Sequence, residues 1–430
     1  MYSTITLSEV NSATKKVDVL LLEDDRDYAY SLKLAIESRL PVQVTIMRTV
    51  EIARKLLTVN ASQYFIGITS VLNLDSAEFE KVDLLGEFDI PVIAIVNQYE
   101  DEMRDQLIKR HIIDYIVKEK NSDHAYICDL IHRTYKNCDV SVLVVDDSMV
   151  SRFVLVRELK LQKFNVMQAG NGLEALAILA EYPNIKLVLV DNQMPLMDGY
   201  AFVSQARVVR SKQELVIIGV SSSSDPRIAV KFLKAGANDF IAKPFKFEIL
   251  LCRVMQNLDM LDAVELAKNL ANTDFLSGLY NRRYFFEQGN KILHSLTDGQ
   301  PLTVMMFDID FFKKINDLYG HDIGDDIIQN FASLLKAHFS KDIVARIGGE
   351  EFAVISTSPQ YLTNLDSIDD FRLMVANQRL KIKGFELHYT CCIGVCNKVI
   401  NDLDAMLARA DKNLYQAKQS GRNQICYELV

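Results

Sequence analysis

The sequence predicts an α/β chain: two tandem, doubly wound halves, followed by a third segment of different character. Three observations carry this. "VLLLEDD" from Val19 and "VLVVDDS" from Val142 are each a short apolar run ending in acids, and each is followed by an amphipathic stretch. "DYIVKE" (Asp114 to Glu119) and "DFIAKP" (Asp239 to Pro244) close the two copies, their lysines lying 118 − 24 = 94 and 243 − 147 = 96 residues beyond Asp24 and Asp147. Between these marks, β-like runs such as "KLVLVD", "LVIIGVS" and "PVIAIVN" alternate with helical patterns, the signal of a parallel sheet covered on both faces.

At 430 residues and 49% hydrophobic, the chain has room for roughly three domains of about 150 residues. The expected division is residues 1–137, 138–260, a helical connector 261–271, and 272–430. A net charge of −9 and an isoelectric point near 5.4 argue against a broad nucleic-acid-binding face and leave room for a local phosphate pocket. The N-terminal "MYSTITLSEV" lacks a secretory pattern, and no apolar run approaches the roughly 18 residues that span a bilayer. A cytoplasmic protein with no nucleic-acid and no membrane partner is therefore expected. The seven cysteines include no CxxC pair, so neither disulfide nor metal is assigned to them.

In parallel sheets of this kind the ligand site lies beyond the carboxyl ends of the strands. In the second half that edge collects Asp146, Asp147, Asp191, Ser221 and Lys243. Three converging carboxylates repel unless a hard cation such as Mg²⁺ and the lysine join them. "VVDDS", "LVLVDNQMPLMDG", "GVSSSSD" and "AGANDFIAKPF" fall in the order and spacing of the receiver domain of two-component response regulators, a flavodoxin-like fold that this half resembles along its whole length. The resemblance implies that Asp191 is the phosphoacceptor. It also implies that Asp146, Asp147 and the backbone carbonyl of Gln193 hold Mg²⁺, that Ser221 and Lys243 follow the phosphoryl group, and that Phe240 is the aromatic of the switch. An upstream histidine kinase or phosphotransfer protein is the implied partner.

The first half keeps Glu23, Asp24 and Lys118 but departs elsewhere. Its third strand, "YFIGITSVLNLD", offers Thr69 or Ser70 where the acceptor carboxylate belongs, and neither hydroxyl forms an acyl phosphate. Its fourth strand is read as ending in Asn97 in place of Ser or Thr, and Glu119 replaces the proline after the lysine. The expectation is a receiver fold that takes up no phosphate and serves as a dimerisation or adaptor element.

From about Phe247 to Ala271 there is no glycine or proline, and Leu251, Val254, Leu258, Leu261, Val264, Ala267 and Ala271 recur at steps of three or four, widened by Leu266 and Leu270. That spacing draws one apolar stripe on a helix, its first part packing on the second half and its later part free to pair with a twin. The step from Leu261 to Val264 breaks a strict heptad, so no long regular coiled coil is implied.

The last segment holds "NTDFLSGLYNRRYF", "MMFDIDFFKKINDLYGHDIGDDII", "RIGGEEF" and "ADKNLYQAKQSGRN". "VMMFDID" reads as a buried strand delivering Asp308 and Asp310, and the Gly348-Gly349 turn delivers Glu350 and Glu351. If the two edges are neighbours, they form an oxygen-rich site suited to Mg²⁺, or to Mn²⁺ in its place. Asn316 and Asp325 suit the donor-rich edge of guanine, and Lys313, Lys418 and Arg422 suit phosphates.

With "FDIDFFKKIND", "GHDIGDD", "GGEEF" and "AKQSGRN" in order, residues 272–430 resemble GGDEF-type diguanylate cyclase domains. The resemblance implies a palm-like α+β fold and the condensation of two GTP to cyclic di-GMP with release of two pyrophosphates. It implies metal ligation by Asp308, the Ile309 carbonyl and Glu350, with Glu351 in support, and Glu350 as proton acceptor for the ribose 3′-hydroxyl. Asn316 and Asp325 would read guanine, and Lys313, Lys418 and Arg422 would hold phosphates; Asp310, Asp317 and Asp322 would serve the loops. Since one site holds one GTP, a homodimer controlled by phosphorylation of Asp191 is expected. The family's product-inhibition motif is degenerate, reduced to Asp342 with Phe339 in the arginine position, so feedback at that site should be weak or absent. Against this stand an adaptor that binds GTP or product without turnover, and an ATP-using cyclase, which the acceptor oxygens of Asp325 oppose.

Overall fold

The structure, a computed structural model, describes residues 17–428 apart from 99, 111, 119–122, 223–224, 298, 364 and 401. Glu119 therefore lies outside the described residues. Contacts divide the chain into two units, Met1–Asp262 and Ala263–Val430.

The first unit contains two five-stranded sheets. One comprises β1 (Val17–Leu22), β2 (Val42–Met47), β3 (Tyr64–Val71), β4 (Val92–Val96) and β5 (Asp114–Val117); the other comprises β6 (Ser141–Val145), β7 (Asn165–Ala169), β8 (Ile185–Asp191), β9 (Val216–Ser221) and β10 (Asp239–Ala242). Their orders, β2-β1-β3-β4-β5 and β7-β6-β8-β9-β10, are the same, and every pairing is parallel. The cause lies in the strands themselves. β4, β6 and β9 are buried at every position, as runs of β-branched residues must be when helices cover both faces. Each sheet accordingly carries one apolar core on each side.

Register shows which positions of the two halves correspond. Val145 pairs with Val190 and Leu22 with Thr69, so Ser70 stands where Asp191 stands. Asp191 pairs with Val220 and Ser70 with Ile95, so the counterpart of Ser221 is Val96. This corrects the reading of Asn97, which lies one residue past the end of β4. The lysines do coincide: Lys243 N donates to Ser221 O (2.6 Å) and Lys118 N to Val96 O (2.7 Å).

A single helix runs from Phe247 to Asn272. Leu250, Val254, Leu258 and Leu261 enter the core of the second half, so the stripe begins on Leu250 and not on Leu251, and packing extends to Leu261. Beyond it Leu266 and Leu270 are 58% and 68% exposed. The first half grips the root of this helix. Arg104 forks onto Glu248 through Nε and Nη2, both at 2.8 Å, and Arg133 Nη1 reaches Asp259 at 2.9 Å and Asp262 at 3.3 Å. Gln162 Nε2 donates to Ile113 O at 2.9 Å.

The second unit is built on a six-stranded sheet of order β11-β13-β14-β12-β17-β18. These strands are β11 (Tyr280–Asn281), β12 (Thr303–Ile309), β13 (Ile343–Arg346), β14 (Glu351–Ser356), β17 (Cys391–Cys396) and β18 (Ile425–Tyr427); β15 (Leu380–Ile382) and β16 (Phe385–Leu387) make a separate hairpin. The central pairings are antiparallel and the two edge pairings parallel. An aromatic core of Phe307, Phe331, Phe352 and Phe371 fills one face, and Phe285, Met306, Leu403 and Leu414 lie on the other. This is the α+β architecture, a central antiparallel sheet with helices on both sides, that the resemblance of residues 272–430 implies.

Candidate active site and phosphoacceptor pocket

Four buried apolar or aromatic residues, Val304 to Phe307, carry β12 through the core, and its sixth position is Asp308, which pairs directly with Glu351 of β14. Like charges opposite one another on an antiparallel pair are destabilising, so the arrangement opposes folding and invites a cation. Burial, opposed by the hydrogen bond and charge of Lys418 and reinforced by Glu350 and Glu351, leaves the Asp308 carboxyl pushed up to about 6. Lys418 Nζ, from the helix Leu403–Gln419, lies 2.7 Å from Asp308 Oδ2. Ile309 N donates to Glu350 O at 3.4 Å, tying the strand end to the turn.

Neither turn glycine has a positive φ. A Cβ on Gly349 would meet nothing within 4 Å, whereas one on Gly348 would come 2.8 Å from Glu351 Oε2. Gly348 thus makes room for the glutamate, and Gly349 leaves the surface open. Arg346 braces the turn, with Nε 3.0 Å and Nη2 2.6 Å from Gly349 O and Nη1 3.0 Å from Asp274 Oδ1. Sequence reasoning missed this brace; its only signal was that Asp274 and Arg346 both sit inside the quoted motifs.

Asn316 lies on the helix Phe312–Tyr319 and Asp325 on the helix His321–His338, joined through Gly320 at φ 89°. Asn316 Oδ1 is buried without a hydrogen-bond partner, and a Cβ on Gly324 would overlap it. An unpaired buried carbonyl costs free energy until a donor reaches it. Asp325 and Lys313 are exposed. Asp310, expected to serve the loops, is buried and accepts from Thr390 Oγ1 (2.7 Å), Cys392 Sγ (3.0 Å) and Asn423 N (3.0 Å). Phe339 is 1% exposed among Phe307, Phe371 and Tyr361, and burial raises the half-buried Asp342 carboxyl while Ser356 lowers it through a hydrogen bond.

In the second half of the first unit, Lys243 Nζ lies 2.8 Å from Asp146 Oδ2 and 2.7 Å from Asp191 Oδ1. Burial lowers its ammonium's proton affinity, and the hydrogen bonds and charges of the two aspartates outweigh that, leaving it raised. Asp191 Oδ2 accepts from Gln193 N at 2.8 Å, Asp147 is exposed beside the pocket, and Ser221 is buried at the neighbouring strand end. The Phe240 ring lies 5.5 Å from that of Phe232.

The equivalent site in the first half is rewired. Ser70 Oγ donates to Glu23 Oε2. The Lys118 ammonium lies 3.8 Å over the ring of Tyr28, and Lys81 Nζ instead meets Asp24 Oδ2 at 2.9 Å. Among the described residues of the whole chain, no three acidic, histidine or cysteine side chains converge as a ready-made metal cage. Asp308 faces Lys418 instead, and Asp146 and Asp191 face Lys243. No helix among the described residues is long and apolar enough to cross a membrane.

Comparison with known proteins fits these geometries. Residues 142–255 match the response regulator receiver domain and residues 271–424 the diguanylate cyclase GGDEF domain. The fold agrees with both matches, with a flavodoxin-like receiver sheet in the first unit and a GGDEF-type sheet in the second. Over 297 residues the chain is 33% identical to the response regulator PleD of Caulobacter vibrioides, a match covering 66% of this chain and 65% of that protein. Diguanylate cyclase DgcM of Escherichia coli is 34% identical over 183 residues, 41% of this chain and 43% of the relative. A solved two-component response regulator/GGDEF structure aligns with a TM-score of 0.51 at 35% identity, covering 57% of this chain and all of the other.

Proposed function

We propose that this chain is a two-component response regulator whose output domain condenses two GTP into cyclic di-GMP and two pyrophosphates under the control of Asp191. The observation that carries the reading is the pairing of Asp308 with Glu351 beside the open Gly348-Gly349 turn, inside a segment matching the GGDEF family. The oxygen-only donor set and the mutual repulsion of its acids suit Mg²⁺. Asp308, the Ile309 carbonyl and Glu350, with Glu351 in support, would hold it. When bound, the ion would stabilise charge on the attacked phosphate and ease loss of the 3′-hydroxyl proton.

In this reading Glu350 takes that proton, and Lys313, Lys418 and Arg422 carry the phosphates. The orphaned Asn316 carbonyl and the Asp325 carboxylate accept from the guanine N1–H and amine. Two domains must face each other for the second attack, which makes the homodimer part of the reaction. The exposed Leu266 and Leu270 offer apolar surface for a twin helix.

The first half is read as a second receiver fold, supported by its identical strand order, that takes up no phosphate. Serine holds the acceptor position, valine the position of Ser221, and Lys81 already neutralises Asp24. An upstream histidine kinase or phosphotransfer protein would supply the phosphoryl group to Asp191. Phe339, spent in the aromatic core, supplies no guanidinium beside Asp342, which supports weak product feedback.

The test is purified protein with GTP and Mg²⁺, product separated by chromatography. Cyclic di-GMP is expected, with Asp308→Asn slower by at least roughly 100-fold, the scale on which charge stabilisation in a transition state is lost. Bound GTP without turnover in any condition would make the protein an adaptor.

A further inference from the structure

Three non-glycine residues with left-handed backbone converge on one spot: Phe311 (φ 58°), Arg422 (φ 64°) and Asn423 (φ 47°). An aromatic residue in that region is strained, and such strain persists only where surrounding contacts enforce it. Here the enforcement is visible. Asp310, immediately before Phe311, accepts from Asn423 N, Thr390 Oγ1 and Cys392 Sγ. Burial and the Asp310 hydrogen bond push the Cys392 thiol up to about 12, which keeps it a donor. From the other side, Arg372 Nη1 holds Asn423 through its O at 3.0 Å and its Oδ1 at 2.9 Å. The loop carrying Arg422 is thus tied to the strand end that carries Asp308.

The strain has a product. Although half exposed, Phe311 does not simply cover core: the Arg422 guanidinium lies 4.4 Å from its ring centroid, and the Lys314 ammonium 4.5 Å. A flexible arginine is thereby held over an aromatic face, losing side-chain freedom before any ligand arrives. Arg422 Nε is 4.0 Å from Asp310 Oδ1, so the carboxylate adds direction without closing a short ion pair.

We propose that Phe311 is a positioning residue that holds Arg422 in place for the phosphates of the nucleotide. The proposal rests on the nucleotide site described above and adds a part that acts through Arg422. It separates structure from positioning at a single residue. Glycine at 311 relieves the left-handed backbone while removing the ring, so Phe311→Gly should fold at least as well as the wild type.

The experiment measures binding of a non-hydrolysable GTP analogue with Mg²⁺, and of guanosine, to the full chain, its Phe311→Gly and Phe311→Tyr variants, together with thermal midpoints. For Phe311→Gly the analogue should bind roughly three- to tenfold more weakly, guanosine binding and the midpoint should hold, and Phe311→Tyr should bind as the wild type does. Unchanged analogue binding in Phe311→Gly overturns the proposal, as does an equal loss for guanosine. Because the readout is binding, a wild type that binds the analogue but makes no product would sink the cyclase reading and still decide this one.

Discussion

The two halves of the first unit share strand order, parallel pairing and a closing lysine, yet their sites differ in what balances the acids. In the second half the strand-end lysine, Lys243, spans Asp146 and Asp191. In the first half the equivalent lysine rests on Tyr28, and Lys81, from the helix Ser76–Glu87, takes over Asp24. The scaffold is fixed by buried apolar strands, so it survives the change. Reactivity depends on three or four side chains at the carboxyl edge, and these can be exchanged without disturbing the sheet. What the first half retains is a grip on the helix that leaves the second, through Arg104 and Arg133.

The sharpest way to break this comparison is Asp191→Asn. Phosphate uptake from a small phosphodonor should fall to background, since Ser70 stands at the acceptor position of the first half; phosphate mapped to residues 17–118 would contradict it. Next is Ser70→Asp, which restores the acceptor residue type alone. With Val96 and Lys81 still in place it should remain unphosphorylated, and a new carboxylate against Glu23 should cost on the order of 1–3 kcal/mol in urea unfolding. Uptake of phosphate by this variant would show that one residue separates the halves.

The grip of the first half can be measured by a double-mutant cycle of Arg104→Ala with Glu248→Gln. The fork is bidentate and Arg104 is buried, so a coupling of about 1–2 kcal/mol is expected, and none would reduce it to a surface contact. A pH-dependent effect extends the comparison to the cyclase edge, where Lys418 faces Asp308. The folded chain releases the Asp308 proton near pH 6 and the unfolded chain near 4, so folding binds an extra proton between them, and metal-free stability falls as pH rises through that window. Asp308→Asn removes this loss. At pH 7.5 without metal it should unfold later than the wild type, with the advantage gone below about pH 4.

Much of this was legible because periodicity and strand-end acids are local signals. The duplication, the central β12 strand and the hairpin turn all follow from runs of residues in the sequence. What escaped depends on register and distance. Val96, not Asn97, answers Ser221 because pairing across three strands decides equivalence, and no local pattern reports it. Leu250 displaced Leu251 from the stripe because the rotation of the helix is set by the sheet it packs on. The Arg346–Asp274 brace joins residues far apart in the chain, and the left-handed Phe311 carries no compositional mark.

The most direct measurement of the whole account is the initial rate of cyclic di-GMP formation by the full chain with and without a phosphodonor, in wild type and Asp191→Asn. Wild type should form product at a rate that changes with the phosphodonor, and the variant should form product at a rate that does not. The same response in both proteins, or no product in either, would contradict the account.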